Sequence, residues 1–95
     1  MQVKIVQHNN GGPAGKLADA ELHFDDGPLA GLKLVGITVW EGRDGQAQVT
    51  LPTRHYTVDG ERRRYILLRP TSDASTTRTY LRREIMDAFE RTQRQ

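Results

Sequence analysis

Seven arginines in the second half of the chain combine residue type and spacing in a way that points to chemistry: Arg54, Arg62, Arg63, Arg64, Arg69, Arg78 and Arg82. A guanidinium is planar, permanently charged and offers its donors in a fork that matches a phosphate or a base edge. Arg62 and Arg64 sit two residues apart in an alternating stretch. They therefore share one strand face, about 7 Å apart, with Arg63 opposite. That separation is comparable to the spacing of adjacent phosphates on one nucleic-acid strand. Arg54 lies across the Asp59-Gly60 hairpin, Arg69 extends the same ribbon, and Arg78 and Arg82 follow four apart on a helix flank, with Arg83 further round. Tyr56, Tyr65 and Tyr80 interleave with these cations. A tyrosine can stack on a base, although core packing is the more ordinary fate of Tyr65 and Tyr80. The plain alternative is a solvated ribbon whose arginines pair with Asp59, Glu61 and the helix acids.

Other chemistries fit the residues poorly. His8, His23 and His55 are expected at a strand end, on a strand's wet face and in a turn. None has the spacing of a metal ligand. Ser72 and Ser75 fall at a helix start, where capping explains them, and no nucleophile elbow surrounds them. The glycines of residues 9–15, NNGGPAG, lack the Gly-Lys-Ser/Thr ending of a phosphate loop and join two strands. Asp25-Asp26 reads as a turn former rather than a catalytic pair. The residues thus argue against an enzyme, a cofactor, a metal or a small-molecule substrate.

The elements that must position the arginines follow from periodicity. Residues 2–7 alternate as a strand with Val3 and Ile5 on one face, and residues 9–15 form a turn-rich loop. Lys16 to Phe24 alternates cleanly, with Ala18, Ala20, Leu22 and Phe24 on one side and Asp19, Glu21 and His23 on the other. Asp25-Asp26-Gly27-Pro28 is a turn. Residues 30–41 form the longest apolar strand, with Val35, Ile37 and Val39 on one face and Leu34, Thr38 and Trp40 on the other. Gly36 inside it predicts a bulge or a close backbone approach. Gly42-Arg43-Asp44-Gly45 turns the chain into a strand carrying Ala47, Val49 and Leu51. Beyond Pro52 comes a short ribbon with Asp59-Gly60 as its two-residue turn, and Tyr65 to Leu68 closes the strand set. From Ser72 the period changes. Ser72 or Asp73 is placed to cap a helix whose stripe is Thr77, Leu81, Ile85, Ala88 and Phe89, fraying over 92–95. The fold class is α+β: a small, mostly antiparallel sheet with one C-terminal helix packed on it, one domain over residues 1–95.

Composition sets limits on the rest. With 95 residues, 36% hydrophobic and 27% charged, the core is thin, and pairing with a second copy through strand edges would add burial. There is no cysteine, so no disulfide or thiolate site is available, which suits a reducing cytosol. No segment reads as a signal peptide or a membrane helix, and a cytoplasmic location without membrane contact is expected. Net charge is only +2, but it is unevenly spread. Residues 1–53 carry four basic and six acidic side chains, whereas residues 54–95 carry ten arginines and six acids.

Taken in order, the motifs resemble the SpoVG family (stage V sporulation protein G, or septation regulator). Met1-Gln2-Val3-Lys4-Ile5-Val6 is similar to the family's first strand. Val39-Trp40-Glu41-Gly42 followed by Val49-Thr50-Leu51-Pro52-Thr53-Arg54 is similar to its central strand and its Pro-Ser/Thr-basic step. Asp59-Gly60-Glu61-Arg62, Arg69-Pro70 and Ser75-Thr76-Thr77-Arg78 match the turn, the basic-Pro step and the helix start. The resemblance implies a sheet-plus-helix domain that dimerises through its strands and binds DNA and RNA. It places Arg54, Arg62 and Arg78 at the family's basic positions. The chain departs from the pattern at His55-Tyr56-Thr57-Val58, at Tyr80 where the family has lysine, and in the extra charge of Arg63, Arg64, Arg82 and Arg83. The function expected is a homodimeric nucleic-acid-binding regulator. The alternative is a protein-interaction module that grips an acidic partner with the same arginines.

Overall fold

The computed structural model describes residues 1–7, 14–71 and 75–94. His8, most of the expected 9–15 loop and the candidate caps Ser72 and Asp73 lie outside these residues. The described residues form six strands and one α-helix, with a 3-10 turn at Gly27–Leu29: β1 (Gln2–Gln7), β2 (Lys16–His23), β3 (Lys33–Glu41), β4 (Ala47–Thr50), β5 (Thr53–Val58), β6 (Glu61–Ile66) and α1 (Ser75–Gln93). Strands β1 to β4 make an antiparallel meander in chain order, and β5 with β6 makes a separate two-stranded ribbon.

The sheet follows from alternation in β2. Ala18, Ala20 and Leu22 are buried on one face, while Asp19, Glu21 and His23 face the other way. Cross-strand pairs extend that division: Val3 lies opposite Leu22, Ile5 opposite Ala20, and Val39 opposite both Ala18 and Val49. The helix lays its stripe on the apolar face and touches β1 and β4, the two edges of the meander. Ile85, Ala88 and Phe89 are buried, and Ile85 and Phe89 join one core cluster with Ala18, Ala20, Leu22, Ile37, Val39, Val49 and Leu51. Thr77, expected on the stripe, is exposed at its outer end. At 19 residues and three to four apolar positions per two turns, the helix gains its stability from this contact rather than from propensity.

Gly36 does what its place in β3 suggested, with one consequence that alternation misses. Its φ is +98°, and the β2–β3 register shifts between Ala20 and Leu22, which pair with Ile37 and Leu34. Two residues of β3, Val35 and Gly36, thus stand against Glu21 alone. The extra residue turns Leu34 onto the core side and leaves Val35 54% exposed, the reverse of strict alternation. A Cβ on Gly36 would meet Pro52 Cβ at 3.5 Å, so the bulge also brings the Pro52 step close to the sheet.

Pro52 cannot donate to a ladder, and the chain leaves the meander there. Two contacts hold the ribbon's root: Leu67 N–H donates to the Pro52 carbonyl at 2.7 Å, and Thr53 Oγ1 donates to the Leu51 carbonyl at 2.8 Å. Beyond the root both faces of β5 and β6 are open to solvent. The accessible surface of 7425 Å² exceeds the roughly 5,500 Å² of a typical monomer of this mass. The radius of gyration of 14.7 Å likewise exceeds the expected value of about 12 Å.

Candidate nucleic-acid interface

The ribbon turns through Asp59 and Gly60, with φ of +52° and +77°. Left-handed conformation at both central residues is the type I′ geometry, whose twist matches that of paired strands. It fixes the register: Thr53 opposite Ile66, Arg54 opposite Tyr65, His55 opposite Arg64, Tyr56 opposite Arg63, Thr57 opposite Arg62 and Val58 opposite Glu61. Because paired residues share a face, the ribbon has two unlike sides. One side carries His55, Arg62 and Arg64 with Thr53, Thr57 and Ile66. The other carries Arg54, Arg63, Tyr56 and Tyr65 with Val58 and Glu61.

This arrangement confirms Arg62 and Arg64 as a pair on one face and sets Arg54 on the opposite side, beside Arg63. His55, expected in a turn, lies within β5 and extends the cationic face beside Arg64. The alternation of residues 53–58 carried the signal for that placement. Tyr65 and Tyr80 are 38% and 61% exposed, so neither packs in the core.

The cationic face looks back toward the body at its root. Arg64 and Ile66 line a groove of about 250 Å³ with Val49, Thr50, Leu51, Thr53 and Arg82. Arg82 is half-buried, and its Nη1 donates to the Val49 carbonyl at 2.9 Å, so part of this guanidinium ties α1 to β4. A second, mostly apolar groove gathers Arg69 and Arg78 with Leu51, Leu68, Pro70, Thr77 and Leu81. All seven arginines therefore lie on the ribbon, at its root or on the helix start beside it.

Their pairing decides between a neutralised and an open cationic surface. Arg63 Nη2 lies 3.3 Å from Glu61 Oε2 in an exposed ion pair. Among the described residues, Arg54, Arg62, Arg64, Arg69 and Arg78 have no acidic partner within 4 Å. In the first half, Glu21 is held by His23 at 2.9 Å and by Lys33 at 3.5 Å on the polar face of the sheet. Those contacts, the His23 hydrogen bond foremost, lower the Glu21 carboxyl below its ordinary value. Among the described residues no group of three His, Cys, Asp or Glu side chains gathers as a metal site, and no helix is long and apolar enough to cross a membrane.

Comparison with known proteins finds no matching family model, no matching curated protein and no matching solved structure.

Proposed function

We propose that this chain is a non-catalytic, SpoVG-like regulator that binds nucleic acid as a homodimer in the cytoplasm. The observation that supports this reading best is the set of five exposed guanidiniums, Arg54, Arg62, Arg64, Arg69 and Arg78, without acids among the described residues. Single exposed arginines are ordinarily just solvated, so the support lies in their gathering. Arg62 and Arg64 on one face of the ribbon, with Arg69 and Arg78 lining one groove near its root, leave several guanidiniums open to phosphate contacts. Arg62 and Arg64 would neutralise successive phosphates, with Arg69 and Arg78 continuing the track at the ribbon's root. The first turns of α1, through Thr77 and Arg78, share a groove with Arg69, so the partial positive charge of that helix end would add to theirs. Two copies paired through strand edges would set two such tracks on one assembly.

Binding to random-sequence duplex and single-stranded DNA across a salt series tests this. Four to five neutralised phosphates per chain give a log–log slope near −4 on duplex. Absence of binding at low salt contradicts the reading. Equal binding to a polyglutamate chain would favour the acidic-partner alternative.

A further inference from the structure

Arg62 and Arg64 on one face of the ribbon suit any phosphate backbone, but the other face is more selective. Tyr56 and Tyr65 sit diagonally across β5 and β6, ring centroids 5.6 Å apart and planes inclined at 65°. They are 37% and 38% exposed, with no second layer over them. Arg63 stands directly across from Tyr56 and Arg54 directly across from Tyr65, which gives a checkerboard of two rings and two cations. Two part-exposed rings in contact, flanked by two guanidiniums, make a small aromatic and cationic patch of the kind that stacks on flat, anionic ligands.

We propose that this tyrosine face is a stacking platform for unpaired bases, so that the chain prefers single-stranded nucleic acid to duplex. The proposal rests on the nucleic-acid function above and names the form that is bound. Bases in a duplex are stacked on each other and offer no free face, whereas an unpaired base can lie on a tyrosine ring. Arg54 and Arg63 flank the rings where the phosphates on either side of a stacked base would run. Charge argues against a second copy as the occupant. A two-fold contact through this face would bring Arg54 and Arg63 against their own counterparts, with only Glu61 on each side to offset them. A strand that is anionic along its backbone and flat and apolar at its bases complements both features.

The test compares affinities for an oligothymidine of about 16 nucleotides and for a duplex of equal length. It uses the wild-type chain and the variants Tyr56→Val, Tyr65→Val, Tyr56→Phe and Tyr65→Phe. Valine keeps strand propensity while removing the ring, and phenylalanine keeps the ring. Each valine variant is expected to lose about tenfold on the single strand and less than about twofold on duplex, with both phenylalanine variants near wild type. Equal losses on both ligands, or none on either, would overturn the platform. So would conversion of a dimer to monomer by the valine variants, which would make this face a self-interface. If the wild type binds duplex no more weakly than the single strand, the platform fails and the nucleic-acid function stands. If it binds neither, both fail.

Discussion

Arg82 holds its guanidinium against the Val49 carbonyl, half-buried, whereas Arg62 and Arg64 are exposed, with no acid paired to them among the described residues. The same substitution should therefore read out differently at the two places. Arg82→Ala removes a charge-assisted hydrogen bond and the packing of its stem. It should lower stability by about 1–2 kcal/mol in urea unfolding, less than a fully buried bond because water reaches the site. Arg62→Ala and Arg64→Ala should each change stability by about 0.5 kcal/mol or less, since surface side chains without partners carry little folding energy. The sequence placed Arg82 on a helix flank but could not reveal this bond, because the carbonyl it finds lies 33 residues away. Glu21 makes a pH prediction. Its carboxyl titrates below the ordinary value of 4.5, through the His23 hydrogen bond first and Lys33 second. A carboxylate depressed in the folded state stabilises fully above its unfolded pKa and loses that contribution as pH falls through the folded one. Acid unfolding of the wild type should therefore steepen below about pH 4.5, and Glu21→Gln should flatten that limb in a pH series of urea midpoints. An unchanged limb would mean that the His23–Glu21 contact does not persist in solution.

At the scale of elements, the meander and the ribbon obey different energetics. The meander and α1 share one core, so Ile85→Ala, at a fully buried position, should cost about 2–5 kcal/mol of global stability. The ribbon shares none of that core and is held by its type I′ turn and two root hydrogen bonds. Gly60 has φ of +77°, where a Cβ costs about 1 kcal/mol. Gly60→Ala should accordingly leave the global midpoint nearly unchanged while lowering amide-exchange protection in β5 and β6 by about fivefold. Equal loss across the whole sheet would show that ribbon and meander unfold as one unit. Much of this was legible in the residues. Alternation in β2 named the buried Ala18, Ala20 and Leu22; Asp59-Gly60 named the hairpin; and Leu81, Ile85, Ala88 and Phe89 named the helix face. Gly36 announced a bulge, yet which side Leu34 and Val35 would take depended on the partner register, which no local pattern contains. Exposure of Tyr65 was hidden for a related reason. A strand with apolar and charged residues on both sides reads alike whether it is layered on a core or stands free.

For the whole molecule, a thin core and an extended shape go together. Surface beyond that of a typical monomer, with Leu29, Leu32 and Val35 half or more exposed, favours a partner copy. Sedimentation equilibrium should give twice the 10.8 kDa chain mass at micromolar concentration. A single-chain mass would contradict the dimer while leaving the ribbon's chemistry intact. The charge division has the same scale: Asp19 and Glu21 face the polar side of the meander, and seven of the ten arginines of the second half lie on the ribbon, at its root or on the adjoining part of the helix. Association should therefore be steered by one end of the molecule. The most direct test is the salt dependence of DNA affinity for the wild type against the Arg62→Ala, Arg64→Ala double variant. Loss of two phosphate contacts should flatten the log–log slope by about two on duplex, with weaker binding on all sequences alike. A slope unchanged by the double substitution would remove the ribbon from the binding surface and contradict the proposed function at its centre.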